Sequence, residues 1–587
     1  MNYRTVYTKW LDDPTIDHNT KLELESIANN EQEIEDRFFK ELEFGTGGLR
    51  GILGAGSNRL NIYTIRRATQ GLANYILNSD VYNPQMGVAI AHDSRRMSPE
   101  FSNEAALVLN ANGIKTYVFD SLRPTPLLSF AVRHLGCVAG LVITASHNPK
   151  EYNGYKVYWA DGGQCPYPRD EAIIHEVNKI TDFSMIKTMS QSCAVQAALF
   201  NVAPASVDDM FFKHVVCESL NPSILPDSDL KIVFTPLHGA GNVGVSRVLN
   251  EVGFKHVYIV PKQEQPDGEF PTIAYPNPEE REAFTLALKL AADVDADIVI
   301  ATDPDADRMG VAVKHNSKYV LLNGNMTGVL LAEYILSQKK ATGSLPQNGA
   351  IISTIVSTNM ARHIADAYGV AYIEVLTGFK YIGEKIKEFE ESGSNTFLFG
   401  FEESYGYLTG TYTRDKDAIA ASLLICEAAA FYRKQGLSLY DVLLNLYKKY
   451  GLYKESIESL TMKGVEGLQD IKRIMTGLRA HPPKSLDGAK ITQIRDYLSQ
   501  QVMNLSNDAA LSNGHLAECQ VESTNLPVSD VLYYVMDNGS WVCVRPSGTE
   551  PKIKLYFGVY IPSGSKSDAD AKIMALVDDM KKLIEAF

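Results

Sequence analysis

The sequence predicts an α/β protein: three consecutive α/β domains with mixed or mostly parallel sheets, then a smaller C-terminal α+β domain. Three observations carry this. The chain has 587 residues, and a single hydrophobic core stops growing at roughly 250–300, so several domains are required. Short apolar runs alternate with helical stretches through most of the length, the rhythm of parallel strands covered by helices. Near residue 455 that rhythm breaks, and a polar run gives way to paired strands.

Taken in order, Gly87–Ala91 is an apolar strand closed by the polar turn His92-Asp93-Ser94-Arg95-Arg96. A helix over Ser98–Asn112, with Phe101, Ala105 and Leu109 on one face, leads to a strand at Lys115–Phe119. Strands recur at Lys231–Phe234, Val257–Val260, Asp297–Ala301, Ala350–Ile355 and Thr396–Gly400. Ser184–Gln196 is polar, with few aromatics, and reads as a surface excursion. After the polar run Leu468–Ser499, strands Val531–Met536 and Ser540–Val544 are joined by Asp537-Asn538-Gly539. That Asn-Gly pair is a strong hairpin signal. A helix over Ser567–Phe587 ends the chain. The expected domains are therefore 1–210, 211–325, 326–455 and 456–587.

Composition narrows the partners. With 70 acidic against 56 basic side chains the net charge is −14, which argues against nucleic acid or an anionic membrane surface. A small anion needs only a local cluster of Arg and Lys and stays open. Seven cysteines stand at wide spacings with no CxxC pair, as expected of scattered buried thiols in a reducing compartment. Met1–Thr20 has no apolar h-region, and the longest apolar run, Ala418–Cys426, is far short of the ~20 residues that span a bilayer. A cytoplasmic protein, monomer or weak dimer, is the expectation.

Four polar loops each follow a short apolar strand, which is where ligands bind in α/β sheets. In Gly140–Pro149 a strand delivers Ser146, His147 and Asn148 at its exit. Ser146 there is either a phosphate-carrying nucleophile or a helix N-cap; without a Gly-x-Ser-x-Gly elbow, a hydrolase serine is disfavoured. In Asp303-Pro-Asp305-Ala-Asp307-Arg308 three carboxylates at i, i+2 and i+4 repel one another unless a cation joins them. All-oxygen ligands suit Mg²⁺ or Ca²⁺. An EF-hand is excluded, because its sixth and twelfth positions would be Arg308 and Lys314 instead of Gly and Glu. The third loop, Phe397 to Tyr407, sets Glu402, Glu403 and Ser404 among aromatic rings, a combination that suits a sugar. An ordinary capped helix start is the alternative. Just downstream, Asp417 is placed to cap the helix Ala418–Tyr432, which leaves Lys416 free for chemistry. The fourth, Arg545-Pro-Ser547-Gly548-Thr549, is either a phosphate cradle or the turn ending a strand. A metal-held anion, a serine, a sugar loop and a phosphate cradle together describe an enzyme of phosphorylated sugars.

These loops resemble the four signature motifs of the α-D-phosphohexomutase family, which groups phosphoglucomutases and phosphomannomutases. They stand here, in the family's order, as Thr144–Pro149, Asp303–Arg308, Glu402–Ser404 and Arg545–Thr549. Gly45–Gly51 resembles the family's N-terminal active-site loop, and Thr377-Gly378-Phe379-Lys380 its hinge-side sugar loop. The wording around Glu402 and Phe234-Thr-Pro-Leu-His-Gly239 is nearest to the family's long bacterial members. Asn323-Gly-Asn-Met326 departs from the expected Thr and Gln, outside the four motifs.

The resemblance implies an active site in a central cleft and one Mg²⁺ bound by Asp303, Asp305, Asp307 and phosphorylated Ser146. It implies Arg50, Lys156 and Arg308 around the transferring phosphoryl group, with His147 and Lys416 as candidates for moving protons. Thr377, Gly378, Glu402 and Ser404 would hold the sugar, and Arg545, Ser547, Gly548 and Thr549 the phosphate that is not reacting. The implied reaction interconverts glucose 1-phosphate and glucose 6-phosphate through a phosphoserine and glucose 1,6-bisphosphate, which also serves as activator. Mannose and pentose phosphates are alternatives within the family. A Mg²⁺-dependent sugar phosphatase and a non-catalytic sugar-phosphate binder are alternatives outside it. A hydrolase has no use for the Arg545 cradle, and a binder none for the serine with all three aspartates.

Overall fold

The computed structural model describes residues 2–43, 48–462, 464–505, 520–547 and 552–587. Gly45, Thr46, Gly47, Cys519, Gly548 and Thr549 lie outside the described residues. The chain divides into two compact units, one of residues 1–351 with 379–440 and one of residues 352–378 with 441–587.

The first unit is built on two mixed sheets. One contains β1 (Gly48–Ile52), β2 (Gly87–His92), β3 (Lys115–Val118), β4 (Ala139–Ile143), β5 (Tyr152–Trp159) and β6 (Phe200–Val202), in the order β1-β5-β4-β2-β3-β6. Strands β4, β2, β3 and β6 run parallel, and β5 is antiparallel to both β4 and β1. Every residue of β2 and β4 is buried. That is why these segments read as unbroken apolar runs: a parallel strand covered on both faces has no polar side to show. The core beneath includes Leu72, Val88, Ile90, Phe101, Leu109, Leu141 and Ile143.

The second sheet, in the order β11-β10-β9-β7-β8, contains β7 (Lys231–Thr235), β8 (His256–Ile259), β9 (Ile298–Thr302), β10 (Met309–His315) and β11 (Lys318–Leu322). Here β7, β8 and β9 are parallel, and β10 and β11 complete the sheet antiparallel. The helix Ala418–Arg433 is apolar almost all round and buried from Ala418 to Ala430, which fits an interior position. Asp417 caps it as the sequence predicts, Oδ1 accepting from the Ile419 and Ala420 N–H groups.

The N-terminal part of this unit is helical, which the strand-and-helix rhythm of the sequence does not show. Residues 3–38 form three helices, Tyr3–Asp12, His18–Ser26 and Glu31–Phe38, around Tyr7, Trp10, Leu24, Ile34 and Phe38. Their Arg37 carbonyl accepts from Asn58 N–H, and the Ser57 carbonyl accepts from Leu42 N–H, bracing the turn that follows β1.

β12 (Gly349–Thr354) carries the chain into the second unit, where β13 (Ala371–Val375) follows the helix Met360–Tyr368. The helix Phe379–Ser392 returns it to the first, where β14 (Thr396–Glu402) and β15 (Gly406–Leu408) form an antiparallel pair. The remainder of the second unit is the α+β part. Strands β16 (Leu452–Thr461), β17 (Ser485–Leu486), β18 (Ala489–Asp496), β19 (Gln501–Asn504), β20 (Gln520–Ser523), β21 (Leu532–Met536), β22 (Trp541–Pro546) and β23 (Lys552–Ile561) form an antiparallel sheet in the order β16-β23-β22-β21-β18-β19-β20, with β17 on β18. The helices Gly464–Ala480 and Lys566–Glu585 supply Leu478, Leu576 and Met580 to its core. The Asn-Gly hairpin is present: Gly539 takes the left-handed φ of 79° that such a turn demands. The polar run Leu468–Ser499 is no loop; most of it is helix and β18, polar because each exposes one face.

Among the described residues no helix is long and apolar enough to cross a membrane. Cys137, Cys165, Cys426 and Cys543 are buried, Cys193 and Cys217 are exposed, and none of these six forms a disulfide among the described residues.

Candidate active site

The strand β4 ends at Ile143, and the chain turns through Ser146 before β5 begins at Tyr152. No helix follows the serine, so it is not an N-cap; the turn passes through Pro149 and β5 returns antiparallel. Ser146 is 2% exposed and sits in the left-handed region, φ 53°. A serine there is strained, a feature concentrated at functional sites. Its Oγ donates to Asp303 Oδ2 at 2.7 Å, and His147 Nδ1 lies 3.3 Å away.

The aspartates occupy the turn between β9 and β10. Asp303, Asp305 and Asp307 are all buried, and one oxygen from each lies within 4.8 Å of the others. At that spacing each pair of ionised carboxylates repels by about 3 kcal/mol at an effective dielectric of ~20. Cations and N–H groups offset part of this. Lys156 Nζ reaches Asp305 Oδ2 at 2.7 Å and Asp307 Oδ2 at 3.2 Å, and Lys416 Nζ reaches Asp307 Oδ2 at 3.2 Å. Asp303 Oδ1 accepts from the Asp307 and Arg308 N–H groups. What remains is informative: Asp305 Oδ1 and Asp307 Oδ1 are buried with no hydrogen-bond partner among the described residues. Unused carboxylate oxygens of this kind, beside Asp303, are the donor set of a hard divalent cation such as Mg²⁺.

Burial, with the like charges of Asp305 and Asp307, pushes the Asp303 carboxyl well above the usual range. Burial also disfavours charge on Asp307, but Lys156, Lys416 and Arg308 overcome it and hold that carboxyl low. For Lys156 burial is likewise outweighed, by Asp305 and Asp307, so its ammonium is held above its ordinary value. Burial and the nearby Arg308 and Arg50 guanidinium groups push the His147 imidazole well below its usual range.

Other predicted residues gather at the same place. Arg50 on β1 lies opposite Gly154 of β5 and donates to Asn148 Oδ1 at 3.1 Å. Arg308 pairs with Glu279 at 2.6 Å. Glu402 ends β14, where burial pushes its carboxyl up to about 7 against the pull of Lys416, and Ser404 is half-buried in the turn to β15. That turn is stitched to the aspartate loop by Met309 N–H donating to the Tyr405 carbonyl and by a bridge between Arg308 and Gly406. Gly406 is required: a Cβ there would stand 2.1 Å from Lys416 Cδ. Lys416 is not free, as the sequence suggested, but ion-paired with Asp415 and Asp307. Thr377 and Gly378, after β13, and Arg545 and Ser547, at the end of β22, belong to the second unit. Arg545 lies opposite Lys554, and Ser547 N–H donates to the Lys552 carbonyl.

Several contributors were not singled out from the sequence. Thr125, opening the helix Thr125–His134, donates through Oγ1 to Asp305 Oδ2 at 2.7 Å and through N–H to the Asp305 carbonyl. Tyr158 Oη donates to Asp415 Oδ2 at 2.6 Å and so steadies the partner of Lys416. The loop after β7 packs on the aspartate turn: Ala240 N–H donates to the Pro304 carbonyl, and a Cβ on Gly239 would lie 2.4 Å from Pro304 Cα. Gly239→Ala should therefore displace this turn, costing about 1–3 kcal/mol of stability and weakening Mg²⁺ binding by about tenfold. Thermal melts with and without Mg²⁺ check this; a variant with wild-type metal affinity would show that the loop does not set the turn.

Comparison with known proteins gives the family. Family models described as phosphoglucomutase/phosphomannomutase match in chain order: alpha/beta/alpha domain I at residues 41–183, domain II at 209–316, domain III at 323–450 and the C-terminal domain at 487–576. The chain is 38% identical over 550 residues to a phosphoglucomutase of Staphylococcus aureus strain MRSA252, covering 93% of this chain and 95% of that one. It is 38% identical over 536 residues to one of Staphylococcus epidermidis, covering 91% and 94%. In fold it is similar to a putative phosphomannomutase from Thermus thermophilus, with TM-score 0.66, 22% identity and coverage of 93% and 99%. It is likewise similar to the open form of the Paramecium phosphoglucomutase parafusin, with TM-score 0.64, 17% identity and coverage of 93% and 94%. Four domain matches in order, and more than a third of residues shared with relatives along nearly their whole length, establish that this chain belongs to the phosphoglucomutase/phosphomannomutase family.

Proposed function

We propose that the protein is a phosphoglucomutase, interconverting glucose 1-phosphate and glucose 6-phosphate by way of phosphorylated Ser146 and glucose 1,6-bisphosphate. The observation that carries the reading is the Ser146 hydroxyl 2.7 Å from Asp303, beside two buried carboxylate oxygens with no hydrogen-bond partner among the described residues. Its sequence identity to phosphoglucomutases supports glucose as the sugar.

The residues take these roles. Asp303, Asp305, Asp307 and an oxygen of phosphorylated Ser146 would hold one Mg²⁺, which when bound neutralises charge on the phosphoryl group in transit. Arg50, Lys156 and Arg308 add fixed positive charge around the same group. In the first transfer a sugar hydroxyl oxygen bonds to phosphorus as the bond to Ser146 Oγ breaks; the hydroxyl gives up its proton and Oγ takes one. His147 Nδ1, 3.3 Å from Oγ, is placed to hold the proton on the serine side. Lys416, paired with Asp307 and Asp415, manages the proton on the sugar side: with Asp415 it takes up the proton that the attacking hydroxyl gives up and returns it to the departing sugar oxygen in the second transfer. The bisphosphate turns end for end and returns its other phosphate to Ser146. Glu402, Ser404, Thr377 and Gly378 hold sugar hydroxyls in both orientations. Arg545, Ser547, Gly548 and Thr549 hold the phosphate at rest. The four-domain division at 210, 325 and 455, a cytoplasmic location suited to the buried free thiols, and a monomer or weak dimer complete the proposal.

Coupling to glucose-6-phosphate dehydrogenase tests it. Glucose 1-phosphate is expected to give glucose 6-phosphate without stoichiometric release of inorganic phosphate, with the highest kcat/KM of a panel and mannose 1-phosphate measurably turned over. Phosphate release would make the protein a phosphatase, and preference for ribose 1-phosphate would overturn the substrate.

A further inference from the structure

Arg95 follows β2 in a turn that the reaction scheme above does not use. Its side chain has no exposed surface, and its guanidinium is spent on the backbone of the neighbouring 146–152 turn. Nη2 donates to the carbonyls of Ser146, at 2.6 Å, and of Asn148; Nη1 donates to those of Pro149, at 2.8 Å, and Tyr152, at 2.9 Å. Four carbonyls of one reversal thus converge on one planar fork. The fork is itself fixed, by Asp93 Oδ2 at 3.2 Å from Nε and by the Phe270 ring 5.1 Å away.

The same short turn also holds the other side of Ser146. Asp93 Oδ2 accepts from Thr144 Oγ1 at 2.6 Å, and Thr144 Oγ1 accepts from the Ser146 N–H at 2.8 Å. Both backbone polar groups of the serine are therefore tied to Asp93–Arg95, its N–H through Thr144 and its carbonyl directly. Such anchoring is what a left-handed serine needs, since strained backbone persists only where its surroundings over-determine it. Every guanidinium nitrogen faces protein, so Arg95 is not a ligand for a sugar phosphate. We propose that Arg95 is a positioning residue for phosphoryl transfer, holding the 146–152 turn so that Ser146 Oγ stays aimed at the aspartate cluster. This rests on the reading of Ser146 as the phosphate carrier.

A lysine keeps the charge but has no planar fork to bridge four carbonyls. The test compares wild type with Arg95→Lys after phosphorylation by labelled glucose 1,6-bisphosphate, with turnover divided by the phosphate found on Ser146. A purely structural Arg95 would lower the number of working sites and leave turnover per site unchanged. The positioning role lowers turnover per phosphorylated site by about a hundredfold, the usual consequence of an ångström-scale misplacement, with KM within about threefold of wild type. Free guanidinium should restore part of the rate to Arg95→Ala and none to Arg95→Lys. If Arg95→Lys yields no folded protein, Asp93→Asn, which loosens the fork while leaving it in place, should show the same loss per site to a smaller degree. Turnover per site within about threefold of wild type in both variants, or a raised KM with kcat unchanged, overturns the inference and leaves the functional reading intact. Wild-type protein that takes up no phosphate on Ser146 overturns both.

Discussion

Ser146→Ala is expected to abolish turnover, by roughly 10⁴-fold or more, as loss of a covalent carrier does elsewhere. In the proposed cycle the hydroxyl is the group that receives and returns phosphate, and none of its neighbours replaces it: Asp303 is an acceptor, and His147 is a ring nitrogen 3.3 Å away. The loss should be the same with glucose and mannose phosphates, and added glucose 1,6-bisphosphate should not rescue it, since that compound acts by phosphorylating the same oxygen. Folding should survive. Alanine keeps the backbone anchors through Thr144 and Arg95, and Asp303 keeps its two N–H donors. The stability cost is that of one buried hydrogen bond, about 1–3 kcal/mol. Label from the bisphosphate should no longer attach to the protein. Attachment at wild-type level, or more than about 1% of wild-type turnover, would remove Ser146 from the centre of the cycle.

What the sequence showed and what it concealed follow from how far apart the contributing residues lie. The aspartate turn was legible because Asp303, Asp305 and Asp307 fall within five residues, where only a cation makes their spacing tolerable. The strands were legible because burial on both faces makes β2 and β4 uniformly apolar. Thr125 was not: a threonine after proline looks like any helix start, and only the fold brings it 2.7 Å from a carboxylate 180 residues away. Arg95 appeared as one of several charges in a polar turn, with nothing local to show that it enters the protein. Ser146 was ambiguous because Pro149 suits a helix start and a chain reversal equally, and the antiparallel return of β5 removes the helix-cap reading. The pairing of Lys416 was hidden for a related reason: Asp307, its ion-pair partner, lies more than a hundred residues earlier. The helices of residues 3–38 escaped because each is short and mostly polar, and their apolar side chains form a core only when the three pack together.

Asp305→Asn separates a metal centre from a structural turn by moving stability and activity in different directions. Without metal, three carboxylates within 4.8 Å repel one another, and removing one charge relieves about 3 kcal/mol per pair at an effective dielectric of ~20. Against that, Lys156 loses one of two partners but keeps Asp307, and the asparagine carbonyl can still accept from Thr125. The Tm without metal should therefore stay near wild type. With Mg²⁺ the order reverses. Wild type gains stability because the ion binds the folded state alone, whereas the variant offers only two carboxylates and should gain little at the same concentration. Transfer should fall with it, because the charge on the moving phosphoryl group loses a contribution of several kcal/mol, about a thousandfold or more in kcat/KM. Thermal melts across a Mg²⁺ titration, paired with the coupled assay, read both quantities. A structural turn would give the opposite pattern: a lowered Tm that Mg²⁺ does not affect, with near-normal turnover in whatever remains folded. That outcome would leave Asp305 Oδ1 and Asp307 Oδ1 buried with no hydrogen-bond partner among the described residues.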